Sequence, residues 1–377
     1  MILTQEQEMI RDSMRAFAQE RLVPYAAEWD RNHSFPAQAL KELGELGALG
    51  MVVPEEWGGA DMDYMSLVLM LEEIAAGDGA TSTIVSVQNS LACGITLKYG
   101  SMAQKEEWLV PLARGTKLGC FCLTEPHVGS DASALKTTAV RDGDTWVLNG
   151  VKQFITTGKH ADVAIVFAVT DKSAGKKGIS CFLVPTATPG YVVARIEEKM
   201  GQKASDTAQI IFDNCRVPTT AMMGAEGDGY KIALSNLEAG RIGIAAQSVG
   251  MARAAFDAAL KYAQERETFG KPLLEHQAVS FRLADMATQL DAARLMVWRA
   301  AMLKDAGKAC LKEASMAKMF ASEVAEKICS DAIQIHGGYG YVSDFPVERI
   351  YRDVRVCQIY EGANDIQRLV IGRALVQ

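Results

Sequence analysis

Near the end of the chain, in the stretch Tyr351 to Arg368 (YRDVRVCQIYEGANDIQR), one carboxylate stands where it could act as a base. Glu361 comes after the apolar residues Val356, Ile359 and Tyr360 and precedes a Gly362-Ala363-Asn364 turn. Gly362 interrupts the pattern, Asn364 could cap a new helix, and Ile366, Leu369 and Val370 return at helical spacing. The spacing predicts Glu361 on an irregular break between two helices. Apolar neighbours raise a carboxyl pKa and make the group a better base near neutral pH. A solvated loop glutamate fits the same residues, so other segments must decide.

Four further segments carry polar groups that could hold a ligand. Thr124-Glu125-Pro126-His127-Val128-Gly129-Ser130-Asp131 ends an apolar run and can offer N–H groups and hydroxyls to a ring or a phosphate. Ordinary turns use the same residues. Phe154-Ile155-Thr156-Thr157-Gly158 sets an aromatic beside paired hydroxyls at a strand end. Arg266-Glu267-Thr268-Phe269-Gly270 places an arginine at a helix end, where it suits a phosphate or the helix dipole. In Gln334-Ile335-His336-Gly337-Gly338 the two glycines permit close backbone approach, as a ligand site or a helix end. No G-x-G-x-x-G follows a strand and no G-x-x-x-x-G-K-[ST] occurs, which disfavours a Rossmann or P-loop protein. The five histidines show no paired ligand spacing, so no metal site is expected.

These segments need elements to carry them. Thr4 with Gln7 forms a capping box for a first helix that Pro24 is expected to stop. Helices are then predicted after Pro36, over Met65 to Ala76, Ser82 to Tyr99 and Ala103 to Ala113. The pattern changes at Gly119. Short β-branched and aromatic runs come next (Thr145 to Leu148, Val163 to Val169, Ile179 to Val184, Tyr191 to Ile196, Ala208 to Phe212), with turns at Asp142-Gly143-Asp144 and Asn149-Gly150. Helical periodicity returns after Gly229: one helix from Tyr230 to about Glu267, interrupted only by Gly240, Gly243 and Gly250, then His276 to Lys304 and Leu311 to His336. Val279, Leu283, Met286, Leu290, Ala293 and Val297 mark the middle of these as a bundle helix. The fold class is α+β: an N-terminal all-α domain (1–118), a middle antiparallel β domain (119–225) and a C-terminal four-helix-bundle domain (226–377).

Composition removes other classes. A chain of 377 residues exceeds one typical core. A net charge of −7 leaves no electrostatic footprint for nucleic acid. No apolar run reaches the roughly 18 residues of a membrane helix, and the N-terminus shows no signal peptide. Eight scattered cysteines without a CxxC pair read as reduced, buried thiols.

Six motifs in order resemble the acyl-CoA dehydrogenases of short- and medium-chain type: Thr124-Glu125-Pro126-x-x-Gly129-Ser130-Asp131, Phe154-Ile155-Thr156, Met200-Gly201-x-Lys203-x-Ser205-Asp206-Thr207, Arg266-x-x-Phe269-Gly270, Gln334-x-x-Gly337-Gly338 and Ile359-Tyr360-Glu361-Gly362. The likeness runs from Leu3 to the C-terminus. It implies FAD between the β domain and the C-terminal bundle, and a homotetramer built as a dimer of dimers. By that likeness Leu123, Thr124, Gly129 and Ser130 contact flavin and phosphates, beside Phe154 and Ile155, and Thr156 bonds the flavin near N5. Arg266, Phe269, Gln277, Gln334, Gly337 and Gly338 reach a cofactor bound mainly by a partner subunit, and Ala363, Asn364 and Asp365 sit against FAD. Ser130, Glu238, Arg241, Tyr360 and Gly362 line the acyl-CoA site. The departures are Phe154 for a usual Trp, Lys203 for Arg, Ala363 for Thr and Asp365 for Glu.

The implied reaction is α,β-dehydrogenation of a short- to medium-chain acyl-CoA, linear or branched, to the trans-2-enoyl-CoA. Glu361 is the base, and electrons pass to an electron-transferring flavoprotein. Some members carry the base on the long helix, at the position that is Gly240 here, which leaves Glu361. The alternatives are an acyl-CoA oxidase using oxygen and a non-catalytic binding protein on the same fold. The expected location is the bacterial cytoplasm, or the mitochondrial matrix after processing. No Lys or Arg occurs from Asp78 to Leu97 to meet a dicarboxylic substrate, and the bulk of Thr83 to Leu91 is expected to close the acyl pocket early.

Overall fold

Thr4 opens the first helix as its motif predicts: its hydroxyl accepts from the Gln7 N–H while the Gln7 side chain accepts from the Thr4 N–H. The chain, a computed structural model that describes residues 2–376, then runs through α1 (Gln5–Phe17) and a wide π-type turn into α2 (Val23–Asn32). Pro24 does not stop this helix. It sits in the first turn of α2, where a missing N–H costs nothing, and the helix ends at left-handed His33 (φ 54°).

The remaining N-terminal helices are α3 (Ala37–Glu45), α4 (Tyr64–Gly77), α5 (Gly79–Val87), α6 (Gly94–Tyr99), α7 (Met102–Gln104) and α8 (Val110–Ala113). α4 and α5 are buried almost all round, so this pair is the wall between the outer helices and the C-terminal bundle.

The middle of the chain is a twisted sheet of β1 (Gly119–Cys122), β2 (Thr138–Asp142), β3 (Thr145–Thr156), β4 (Val163–Val169), β5 (Ile179–Pro185), β6 (Tyr191–Ile196), β7 (Thr207–Pro218) and β8 (Met222–Met223). The order is β6-β7-β3-β2-β4-β5-β8, with β1 beside β4. The sheet is not wholly antiparallel. β1 pairs in parallel with β4, because the β2–β3 hairpin intervenes between them and provides the crossover that parallel neighbours need. Asn149-Gly150 is not a turn either. It lies inside β3 at a bulge, where a side chain at Gly150 would collide with Thr137.

α9 (Gly229–Ser235) and α10 (Leu237–Glu265) are two helices where one was expected; the break is at Asn236, whose side-chain amide is drawn to the Ser90 carbonyl. A small hairpin, β9 (Glu267–Thr268) with β10 (Lys271–Pro272), leads to α11 (Gln277–Asp305), α12 (Leu311–His336), α13 (Val347–Val354) and α14 (Asn364–Leu375). Leu283, Met286, Leu290, Ala293 and Val297 are buried on α11. The glycines of α10 mark close approaches: Gly240 to Glu361, Gly243 to Ser86 on α5, and Gly250 to the Glu72 carbonyl on α4. All eight cysteines are free and buried. Among the described residues no helix is long and apolar enough to cross a membrane.

Candidate active site

Glu361 lies on the irregular stretch ahead of α14, and Glu361 (φ 52°) and Gly362 (φ 85°) are both left-handed. For a glutamate this conformation costs on the order of 1 kcal/mol, so its surroundings must hold it. Gln367 Nε2 donates to the Gly362 carbonyl (2.8 Å) and the Glu361 carbonyl (3.3 Å). Lys318 Nζ, from α12, donates to the Gly362 carbonyl and to Asn364 Oδ1, each at 2.9 Å. Asn364 is not the helix cap. It is the first residue of α14, and its side chain turns to α12, donating to Ser322 Oγ at 3.0 Å.

The carboxylate itself is tucked against α10. A Cβ added at Gly240 would stand 2.6 Å from Glu361 Oε2. Burial pushes the Glu361 carboxyl above the usual carboxylate range, and the positive charges of Arg241 and Lys318 draw it back. Arg241 is buried, and burial holds its guanidinium below its ordinary value. Its Nη1 donates to Ser315 Oγ at 3.2 Å. Among the described residues no protein acceptor takes the Glu361 amide N–H, so that donor is free to meet developing charge on a ligand.

Next to the carboxylate, Tyr360 ties three parts of the chain together. Its hydroxyl donates to Gln247 Oε1 of α10 and lies 3.3 Å from Thr83 Oγ1 of α5. Thr83 Oγ1 donates to Gln202 Oε1 of the Met200–Thr207 motif at 2.6 Å. Gln202 Nε2 reaches back to the Asp353 carbonyl at 3.1 Å. Gly201 allows this junction, because any side chain there would strike the Arg352 backbone. The motif thus joins the sheet to the segment that carries Glu361.

The sheet brings two predicted segments side by side. The Gln153 N–H donates to the Thr124 carbonyl at 2.8 Å, and buried Lys152 bridges the Leu123 carbonyl (3.1 Å) and Glu125 Oε1 (2.9 Å). Glu125 also accepts the N–H groups of Lys136 and Thr137, which fixes the loop from inside. Gly129 and Ser130 are left exposed, Thr156 is half-buried, Ile155 is buried, and Phe154 (φ 59°) stands 63% exposed at the strand end. Arg266, Gly337 and Gly338 instead line an open cavity of about 580 Å³ that Glu361 does not border, with Thr268, His336 and Tyr339. Arg266 lies over the Tyr339 ring, 5.9 Å from its centroid. Phe269 is 97% exposed, and Gln277 and Gln334 are exposed. Within one chain the two groups form separate sites. A Cβ at Gly129, Gly337 or Gly338 would meet nothing within 4 Å, so these glycines border open space. That space, an exposed aromatic and free hydroxyls fit a flavin ring and phosphates. Glu238 accepts from Lys304 at 3.0 Å, and Asp365 is exposed.

The sequence model of the acyl-CoA dehydrogenase N-terminal domain matches residues 4–116, that of the middle domain 120–215, and that of the C-terminal domain 227–376. The chain belongs to the acyl-CoA dehydrogenase family. The short-chain specific acyl-CoA dehydrogenase of Rattus norvegicus mitochondria is 51% identical, over 100% of this chain and 91% of that protein. The butyryl-CoA dehydrogenase of Megasphaera elsdenii superposes with a TM-score of 0.98 at 43% identity, covering 100% of both chains. A chain in the structure described as the electron transferring flavoprotein of Acidaminococcus fermentans gives 0.98 at 46%, over 100% of this chain and 99% of that one. The helical, β and helical order and the enzyme class expected from the motifs are those of the family.

Three residues around Glu361 and Tyr360 were not singled out from the sequence: Lys318, Gln247 and Gln202. For Lys318 a signal exists. Ala314, Ser315, Ala317, Ala321 and Ser322 are the buried face of α12. A lysine in register with that small-residue stripe must point inward. Gln247 lies seven residues after Gly240 on the face that its glycines mark.

Proposed function

We propose that this enzyme oxidises a short-chain acyl-CoA, linear or singly branched, to the trans-2-enoyl-CoA with Glu361 as the base. The observation that carries the reading is the Glu361 carboxylate, tucked against Gly240 and facing Arg241 and Lys318. The proton passes from Cα to a carboxylate oxygen. The electron pair it leaves becomes the Cα=Cβ bond as a hydride departs from Cβ. The free N–H of Glu361 stabilises negative charge on the thioester oxygen. When bound, FAD supplies the acceptor for that hydride. Leu123, Thr124, Gly129, Ser130, Phe154, Ile155 and Thr156 would hold its flavin end, flanked by Ala363, Asn364 and Asp365. Arg266, Phe269, Gln277, Gln334, Gly337 and Gly338 of a second copy would hold the far end, which favours a dimer of dimers. Ser130, Glu238, Arg241, Tyr360 and Gly362 would meet the acyl-CoA. The relative from the Acidaminococcus structure supports an electron-transferring flavoprotein as acceptor. We read three units, 1–118, 119–225 and 226–377, with the site at their junction.

The substrate class rests on α10. Gly240 faces the base, while Gln247, roughly 10 Å further along the helix, faces Thr83 and Tyr360. That hydrogen-bonded plug closes the space beyond the base. The helical stretch from Asp78 to Leu97 supplies no charged side chain after Asp78, so a distal carboxylate would lie unpaired. The test is kcat/KM with an artificial electron acceptor across butyryl-, isobutyryl-, 2-methylbutyryl-, hexanoyl-, octanoyl-, palmitoyl- and glutaryl-CoA. The expected maximum is at four to six carbons, with tenfold or larger steps beyond. A maximum at palmitoyl- or glutaryl-CoA contradicts the reading, and rapid oxygen consumption would make the enzyme an oxidase.

A further inference from the structure

Lys318 is fully buried, and a desolvated ammonium is unfavourable unless its hydrogen bonds are well used. Its acceptors are the Gly362 carbonyl, in the loop that carries Glu361, and Asn364 Oδ1, at the start of the helix that follows it. Among the described residues it forms no ion pair. The cation therefore binds neutral groups, and the turn it holds has two successive left-handed residues. Arg241 makes no hydrogen bond to this turn among the described residues; its Nη1 donates to Ser315. The charged and titratable groups around the pair are Arg241 from α10, Glu323 from α12, and Cys357 from the segment ahead of Glu361. Glu238 is held by Lys304.

We propose that Lys318 is a positioning residue for the base: its ammonium pins the Glu361–Gly362 turn and, with Arg241, supplies the positive charge that faces the carboxylate. This rests on Glu361 being the base. Removing the ammonium has two effects. The turn loosens and the carboxylate is misplaced, so kcat falls while KM, set by groups that touch the ligand, changes little. The carboxylate also loses one of its two facing cations, so its protonated form persists to higher pH and the acid limb of kcat/KM moves up. Burial draws Lys318 itself down to about 8, so the wild type should also lose activity as pH rises past that point.

The experiment uses the full-length, FAD-loaded protein with Lys318→Met, Lys318→Gln and Lys318→Arg, and butyryl-CoA as substrate. Lys318→Met is expected to lower kcat roughly tenfold or more with KM within about threefold, and to shift the acid limb up by about one pH unit. Lys318→Arg, which keeps the charge, should hold the acid limb and extend the alkaline one. Exchange of the Cα hydrogen with D₂O, read by mass spectrometry, should slow in parallel with kcat. If Lys318→Met does not fold, Lys318→Gln fills similar space, retains a donor and must still shift the acid limb. An unshifted acid limb in a folded Met or Gln variant overturns the proposal, as do equal losses in the Met and Arg variants. Glu361→Gln separates the two readings. If it is inactive and the Lys318 variants are unshifted, only the role of Lys318 fails; if it stays active, the base assignment fails as well.

Discussion

Glu361 and Gly240 share one space: the carboxylate of the first fills the place where a side chain on the second would project, with Oε2 only 2.6 Å from a Cβ built there. A base on the irregular segment ahead of α14 and a base on α10 are therefore mutually exclusive occupants of the same spot. The absent side chain at 240 is a requirement of the glutamate at 361.

Gly240→Ala tests that relation. Alanine in a helix interior ordinarily stabilises by about 0.5–1 kcal/mol relative to glycine. Here the atom in the way is the end of a flexible side chain, so the carboxylate yields and the helix does not. Melting temperature should stay level or rise, while kcat falls about 100-fold, as misplacement of a reacting group by an ångström does. Full activity in the alanine variant would show that the carboxylate does not depend on this space.

Arg266 lies on the exposed cavity that Glu361 does not border, beside Tyr339 and near an almost fully exposed Phe269. If a second copy brings this surface to the cofactor, Arg266→Ala should lower FAD content and weaken the oligomer together. Absorbance at the flavin band and sedimentation of the same sample measure both. A variant with full FAD occupancy and an intact oligomer would remove Arg266 from the cofactor site.

Asp353 links pH to stability. Burial and the nearby Asp78 push its carboxyl up to about 7, against the pull of Arg349 and the Gln202 N–H. A carboxyl raised in the folded state binds its proton more tightly there than in the unfolded chain. Its contribution is therefore fully present below about pH 4 and is lost as pH rises through 7. That rise in pKa corresponds to about 4 kcal/mol as an upper bound. Asp353→Asn should thus gain stability relative to the wild type between pH 5 and 8 in denaturant melts. A gap that is constant with pH would rule this out.

Much of the site is legible in the sequence because its backbone is unusual. Glu361-Gly362 breaks a helix, and Gly240, Gly243 and Gly250 sit where an ordinary helix would carry side chains; both patterns point to close approach. The strands of the sheet are legible from their β-branched runs. What failed are places where local signals are ambiguous. Pro24 serves a helix start as well as it serves a stop, and Asn149-Gly150 reads as a turn or as a bulge until the pairing of β3 with β7 decides. The parallel pairing of β1 is a matter of topology that no short window contains. Lys318 and Gln247 are readable only from the faces of their helices and Gln202 not at all, because their partners lie on distant segments.

Whether Glu361 is the base comes down to one rate: single-turnover flavin reduction by butyryl-CoA in Glu361→Gln. The amide keeps the shape of the side chain and removes the proton acceptor. If Glu361 is the base, the variant retains FAD and still binds acyl-CoA, and its flavin reduction is slower by at least roughly 10²–10⁴. Reduction at close to the wild-type rate would contradict the assignment.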